Sequence, residues 1–301
     1  MALQSSGAIS LNDIAGEFGG STPHSLSEYY RNGGLVTANN TNVPTSGTID
    51  FADFYGAVKS VVYTLSNGNT NVNVQTAFGG NFTTNIPKIL IIPSGAEIGA
   101  TGLNNVNRAI TVPSGMAGTL DIQNSGTISG AGGEGGDGSP MTGGTGGSAI
   151  FIASSGVTVT NSGTIRGGGG GGGKGNGGSP GSNGHIDGAL QCYGGAGGAG
   201  GDGGDGQGYG TSAQNGTNGS PGGAKTASGN YGSDNVPLCN LFGGPWSNGS
   251  PGTPGGAGGV FGAGGTNASP GGNGGPAGKY IELSGVSYTL SNSGTLTGNA
   301  P

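Results

Sequence analysis

Gly194-Gly195-Ala196-Gly197-Gly198-Ala199-Gly200-Gly201-Asp202-Gly203-Gly204-Asp205 is one stretch of a Gly-Gly-X pattern that runs, with interruptions, from about Gly130 to Lys279. Ordering a glycine in a regular element costs roughly 0.5–1 kcal/mol more than ordering an alanine. A segment this rich in glycine therefore folds only where missing side chains permit a packing that other residues forbid. An extended left-handed helix of the polyproline II type has three residues per turn and no internal hydrogen bonds. Gly-Gly-X then puts every X on one edge and bare backbone on the other two, so neighbouring helices pair N–H with C=O laterally and satisfy their backbone groups. This is polyglycine II packing. Collagen needs glycine strictly at every third position with abundant proline, whereas here glycine takes two positions in three. A flexible linker would not be punctuated by apolar strand-like segments, as these runs are.

The rest of the composition narrows the function. The chain has 301 residues, of which 31% are hydrophobic and 7% charged, with a net charge of −6. That is room for two or three modules but little material for one large core. The eight Lys and Arg are scattered, so no basic footprint exists and no nucleic-acid partner is expected. Apolar runs such as Ile89 to Ile92 are far too short to span a bilayer, so no membrane insertion is expected. Residues 1–6 lack the positive region and apolar stretch of a secretory signal, which predicts accumulation in the cytoplasm first.

Three parts are expected: 1–58, 59–129 and 130–301. The first carries an internal echo, Ser6-Gly-Ala-Ile-Ser-Leu-Asn-Asp-Ile14 recurring as Ser46-Gly-Thr-Ile-Asp-Phe-Ala-Asp-Phe54. Each copy predicts an extended approach and a short helix, with Ser10 or Asp50 capping a turn that bears Leu11 and Ile14, or Phe51 and Phe54, on one face. Ser25 to Arg31, followed by Asn32-Gly33-Gly34, predicts a capped helical turn with a glycine stop. The expected core is Ile9, Leu11, Ile14, Leu26, Tyr29, Ile49, Phe51 and Phe54, too small to be very stable alone. A partner is therefore expected.

The second part alternates as strands do, at Val61–Leu65, Val72–Val74, Lys88–Ile92, Ala109–Val112 and Thr119–Ile122, with Pro87, Pro93 and Pro113 at strand ends. One repeat crosses into the glycine region. Leu120-Asp-Ile-Gln-Asn-Ser-Gly-Thr-Ile128 matches Val157-Thr-Val-Thr-Asn-Ser-Gly-Thr-Ile165 and Tyr288-Thr-Leu-Ser-Asn-Ser-Gly-Thr-Leu296. Stacking the copies aligns their apolar positions in a ladder, as in a β-solenoid. The glycine helices are then expected to leave this base and return to it at Lys279–Leu283.

The free end is expected where the glycine period breaks, at Asn183–Tyr193, Gln207–Asn218 and Ala224–Trp246. These stretches hold His185, Tyr193, Tyr209, Tyr231, Leu238, Phe242 and the only tryptophan, Trp246. Aromatics carried by loops on a rigid scaffold suit a binding surface, and equally suit a plug for a bundle that has no other core. Cys192 and Cys239 lie in two of these loops, either bridged or as two free thiols.

Catalytic patterns fail. Gly195 to Gly200 satisfies G-x-G-x-x-G, but no strand and helix flank it. Gly168 to Lys174 approaches a phosphate loop, yet Gly175 stands where the metal-binding Ser or Thr belongs. Stretches ending at Asp137, Asp202 and Asp205 start a calcium-binding repeat but carry Ser139, Gly204 and Gln207 at its apolar position. With only His24 and His185, no nucleophile–base or zinc constellation forms. No enzyme activity, metal or cofactor is expected.

The stretches Ser6–Ile14, Ser27-Glu-Tyr-Tyr-Arg-Asn-Gly-Gly-Leu-Val36 and Pro44-Thr-Ser-Gly-Thr-Ile-Asp-Phe-Ala-Asp-Phe-Tyr-Gly56 resemble an attachment module of tailed-bacteriophage virion proteins. The Asn-Ser-Gly-Thr-Ile turns followed by Gly-Gly-X runs are similar to the glycine-rich domain of receptor-binding tail proteins, including distal tail-fibre adhesins of T-even-type phages. Together with the solenoid-like β base read from the stacked repeats, the resemblance implies a mostly β and irregular fold, with a small N-terminal attachment module and a polyglycine II helix bundle with exposed loops. It implies docking on the tail or fibre through residues such as Leu11, Ile14, Tyr29, Tyr30, Phe51 and Phe54. It also implies contact of variable loops with a host-cell surface receptor, for which His185, Tyr193, Tyr209, Tyr231, Phe242 and Trp246 in the aperiodic stretches are the candidates. Such a protein assembles in the host cytoplasm, is exposed on the virion, and stands as one copy or three on a trimeric fibre. The alternatives are a structural capsid, tail or fibre component that binds no receptor, and an ice-binding polyglycine bundle. X positions such as Glu134 and Asp202 speak against the latter.

Overall fold

The computed structural model describes residues 3–37, 40–138, 141–184, 190–229, 235–242 and 246–301. Its first unit is built from three short helical turns, each started by a reciprocal cap. Ser10 and Asp13 cap the helix α1 (Leu11–Phe18), Ser25 and Glu28 cap the 3-10 turn Leu26–Tyr29, and Asp50 and Asp53 cap the 3-10 turn Phe51–Phe54. The turns bury Ile14, Phe18, Tyr29, Val36, Val43, Phe54 and Ala57 together. Tyr29 meets Phe54 edge-on at 6.3 Å between ring centroids. Phe51, expected in this core, is 40% exposed, while Phe54 at the other end of the same turn is fully buried.

The chain then winds in rungs. The first has β1 (Val61–Thr64) and β2 (Val72–Asn73), and is closed by the helix α2 (Val74–Phe78), which Asn73 caps and which takes in Val74, expected as the last strand residue. The second has β3 (Lys88–Ile92), β4 (Glu97–Gly99) and β5 (Ile110–Val112); the third has β6 (Leu120–Asn124), β7 (Thr127–Ser129) and β8 (Ile150–Ile152). The fourth begins with β9 (Val157–Asn161) and β10 (Thr164–Arg166). A long excursion then carries β11 (Leu190–Tyr193) and β12 (Thr226–Gly229), and the rung closes with β13 (Ile281–Leu283). The last has β14 (Tyr288–Asn292) and β15 (Thr295–Thr297).

Corresponding strands pair in parallel into three sheets, β1-β3-β6-β9-β14, β15-β10-β7-β4 and β13-β8-β5-β2. The result is a three-sided solenoid. The three sequence repeats are neighbours in it, with Leu120, Val157 and Tyr288 in one register and Asn124, Asn161 and Asn292 in another. Those asparagines form an inward ladder: Asn124 Nδ2 donates to Asn161 Oδ1 and Asn161 Nδ2 to Asn292 Oδ1, both at 2.7 Å. Each following glycine turns the corner against the rung before it. A Cβ on Gly163 would lie 2.0 Å from Gly126 O, and one on Gly294 2.1 Å from Gly163 O. Apolar residues from Leu65 to Ile281 fill the interior as one cluster, so the buried core runs across position 129.

Every glycine-rich excursion leaves from one corner, between the second and third faces. The connection there is residues 100–109 in the second rung, 130–149 in the third and 167–280 in the fourth. Two arginines clamp this corner. Arg166 stacks on Phe261 at 3.8 Å and pairs with Glu97 at 2.7 Å. Arg108 stacks on Phe151 at 4.4 Å and holds Glu282 by two hydrogen bonds of 3.0 and 2.9 Å. Burial alone would raise Glu282. Hydrogen bonds from Arg108 and Ser148, with the charges of Arg108 and Lys279, outweigh it and hold the carboxyl below its usual range.

Candidate functional site

The site depends on how far the glycine excursion projects, and residues 167–184 set its axis. Along this segment successive N–H groups point in three directions by turns. Gly168, Gly171 and Lys174 donate to Gly147, Gly144 and Met141; Gly169, Gly172 and Gly175 donate to Gln207, Gly204 and Gly201; Gly170, Gly173 and Asn176 donate to Ala263, Thr266 and Pro270. The carbonyls accept from three further segments, for example Gly136 onto Gly172, Gly256 onto Gly173 and Gly275 onto Gly171. Six extended segments therefore surround the axis.

This explains why Gly167–Gly173 is unbroken glycine where Gly-Gly-X would otherwise do. A Cβ on Gly168 would lie 1.7 Å from Ala131 O, on Gly171 1.9 Å from Glu134 O, and on Gly173 2.0 Å from Gly272 O. Gly-Gly-X holds where one edge is open: Ala196, Ala199 and Asp202 are exposed.

Beyond Asn176 the described residues bonded to the axis are those of the segments 192–198 and 247–250. On that open side hydroxyls take over from missing neighbours. The N–H groups of Asn176, Ser179 and Ser182 donate to the side-chain oxygens of Thr253, Ser250 and Ser247 at 2.8, 2.7 and 3.0 Å. The N–H groups of those three residues return to the carbonyls of Asn176, Ser179 and Ser182.

The projection ends in a tip made by two of the three aperiodic loops. Strand β11 pairs antiparallel with β12, setting Cys192 opposite Ala227 and Tyr193 opposite Thr226. The helix α3 (Asn235–Phe242) brings Cys239 to Cys192, and the two form a disulfide. Cys192, Cys239 and Trp246 are the buried centre, with Ala227 and Leu238 partly buried against them. Trp246 Nε1 donates to Tyr193 O at 2.7 Å, and the Lys225 ammonium lies 4.2 Å over the indole ring while also donating to Asn240.

The residues singled out by sequence fall in different places. Tyr193 is at the tip and 39% exposed, with its hydroxyl donating to Gln191. Trp246 is also at the tip but only 8% exposed, so it is a core residue and not a contact surface. Phe242 ends α3, and nothing is described of its side chain; His185 and Tyr231 lie outside the described residues. Tyr209 is at the opposite end, its ring against Gly99 of the solenoid, where a Cβ would fall 1.8 Å from the ring. The third aperiodic stretch therefore turns back at the base. The axis therefore runs from Gly169, bonded to Gln207 at the base, to Gly184, bonded to Cys192 at the tip.

Of the docking residues, Ile14, Tyr29 and Phe54 are fully buried in their own unit, which removes them from any partner surface. Leu11 and Tyr30 are half-buried and Phe51 is exposed. Sequence reasoning missed Lys225, whose signal is that it is the sole cation in residues 224–246. It also missed Val236, 48% exposed on α3. Among the described residues no cluster of His, Cys, Asp or Glu could hold a metal ion, and no helix is long and apolar enough to cross a membrane.

No curated protein sequence matches the chain. A chain of the gp37-gp38 adhesin tip complex of the bacteriophage S16 long tail fiber is similar at 20% identity and a TM-score of 0.46, over 99% of this chain and 100% of that one. The family model of the phage tail fibre adhesin Gp38 matches residues 60–301, which takes in the solenoid, the glycine excursion and the tip. The chain belongs to the phage tail fibre adhesin Gp38 family and is thereby a virion component.

Proposed function

We propose that this adhesin binds a host-cell surface receptor through the tip of its glycine excursion, docking on the fibre through residues 1–58. The excursion is read as a polyglycine II bundle, a stiff stalk that carries the tip away from the solenoid. The observation that carries the reading is the convergence of two aperiodic loops on one buried Cys192–Cys239–Trp246 centre, which leaves Tyr193 and Val236 exposed on a fixed frame. Exposed apolar and aromatic groups on an ordered scaffold lose little entropy when they bind. Leu11, Tyr30 and Phe51 are the surface candidates for fibre docking. The partners are other tail fibre proteins and a bacterial surface receptor, with one copy or three per fibre, and no catalytic step is involved.

Binding of purified protein to whole host cells tests this. Tyr193→Ala combined with Val236→Ser is expected to lower saturable binding by about tenfold or more, as loss of a central contact does. Val106→Ser, at an exposed residue of the 100–109 connection, is expected to leave binding unchanged. Absence of binding by folded wild-type protein across hosts would instead make the chain a structural fibre component.

A further inference from the structure

The stalk is joined by its own backbone groups, and the same bonds decide where its asparagines are chemically stable. In an Asn-Gly pair the glycine nitrogen can reach the side-chain amide carbon of the asparagine, and no side chain on the glycine shields it. The attack requires the peptide group between the two residues to turn. That group is planar, so its C=O and N–H turn together, and a hydrogen bond to either one resists the motion. Asn-Gly occurs at Asn32, Asn67, Asn176, Asn183, Asn215, Asn218, Asn248 and Asn273.

Six of these peptide groups are tied. The N–H groups of Gly33, Gly68, Gly184 and Gly249 donate to Tyr30 O, Glu97 O, Cys192 O and Gly223 O, that of Gly274 donates to Asn267 Oδ1, and the carbonyl of Asn176 accepts from Thr253 N–H. Asn215-Gly216 and Asn218-Gly219 differ. Among the described residues neither the asparagine carbonyl nor the glycine N–H of these two pairs has a partner, and both asparagines are exposed. They lie on the segment 211–224, which is anchored at every third residue. Gln214 and Thr217 donate to Asp205 O and Asp202 O, and their own carbonyls accept from Gly258 and Gly255.

We propose that Asn215 and Asn218 are sites of spontaneous deamidation, at which this edge of the stalk ages first. Hydroxide takes the proton of Gly216 N–H, the nitrogen bonds to Asn215 Cγ, and the Cγ–Nδ2 bond breaks. Ammonia leaves with a proton from water, which restores the hydroxide. A second water opens the cyclic imide at either carbonyl and gives aspartate or isoaspartate; Asn218 and Gly219 react alike. Isoaspartate puts an extra methylene into the main chain between Gln214 and Thr217, so three residues no longer make one turn and the anchors on either side cannot all be kept. Either product also adds a negative charge to a segment bonded to that of Asp202 and Asp205.

Full-length protein is incubated in mildly alkaline buffer, folded or in denaturant, and amide, aspartate and isoaspartate at every Asn-Gly pair are followed by peptide mapping and mass spectrometry. In the folded protein conversion at Asn215 and Asn218 is expected to be about tenfold faster than at the other six, the factor set by one backbone hydrogen bond that must break. In denaturant the rates are expected to converge, since the following residue is always glycine. Amide exchange in the aged protein is expected to quicken by about tenfold at Gly255 and Gly258, and to hold at Gly259, which donates to Gly170 O. Asn215→Gln combined with Asn218→Gln closes no such ring readily and should keep all three exchange rates constant with age. Equal conversion at all the pairs in the folded protein, or the same ranking in denaturant, would overturn the proposal.

Discussion

The solenoid and the glycine stalk meet one requirement, that each backbone N–H find a carbonyl in a neighbouring segment, with opposite use of side chains. In the solenoid, strands lie side by side in sheets and the third dimension is filled by Leu90, Ile122, Ile128, Val159 and Ile165, all essentially buried. In the stalk the backbone itself fills all directions around residues 167–173. Side chains are what the first region is made of and what the second excludes. The two regions should therefore respond differently to the same mutation.

The largest effect is expected at Gly171. Its Cβ position is 1.9 Å from Glu134 O and 2.4 Å from Glu134 C, and both are backbone atoms flanked by further backbone. Gly171→Val is expected to abolish the cooperative transition, a loss above roughly 4–5 kcal/mol, in the range that marks forced repacking of a dense interior. Gly177→Ala is the contrast, since its Cβ would meet only Gly198 O, at 3.4 Å. A Gly171→Val protein that melts like wild type would show that the stalk is not close-packed.

A smaller effect is expected in the solenoid. Asn161 is 1% exposed and both accepts from Asn124 and donates to Asn292. Asn161→Ala leaves the buried Asn124 side-chain amide one acceptor short and breaks the ladder at the middle rung. The expected loss is ~1–3 kcal/mol, measured by denaturant unfolding. A loss within error would mean that the ladder follows from the strand register and does not reinforce it.

The same contrast decides what could be read from sequence. The Asn-Ser-Gly repeat points to the rungs because the register of a sheet repeats its side chains, and the glycine runs point to close backbone packing because only a residue without a side chain permits it. The rung Lys88–Gly99 escaped the repeat, since Ile92 takes the ladder place and Pro93-Ser94-Gly95 turns the corner in another way. The common corner of departure was not legible, because it depends on which strands precede and follow each excursion. Tyr209 was placed at the wrong end for a related reason. Loss of the glycine period marks a turn or an open edge, and the segment 211–224 keeps its bonds to the stalk with Gln214, Thr217 and Ser220 facing solvent. For Trp246 the sequence leaves plug and contact surface both open, because its neighbours Cys192 and Tyr193 arrive from another loop.

The smallest effect is expected where side chains return to the stalk. Ser250 closes its edge with Ser179: Ser179 N–H donates to Ser250 Oγ at 2.7 Å, and Ser250 N–H donates to Ser179 O at 3.0 Å. Both serines are exposed, so water replaces the hydroxyl in a Ser250→Ala variant and the global loss is only about 0.5–1.5 kcal/mol. Amide hydrogen exchange gives the sharper readout. Exchange at Ser179 is expected to quicken by about tenfold, the equivalent of one lost bond of ~1.4 kcal/mol. The Gly178 amide, which donates to Gly198 O at 2.7 Å on the other side, is expected to keep its rate. Ser250→Thr preserves the hydroxyl and should leave both rates alone. Equal quickening at Gly178 and Ser179 would mean that the outer half of the stalk opens as one unit, and that its hydroxyls support the whole bundle and not only its edge.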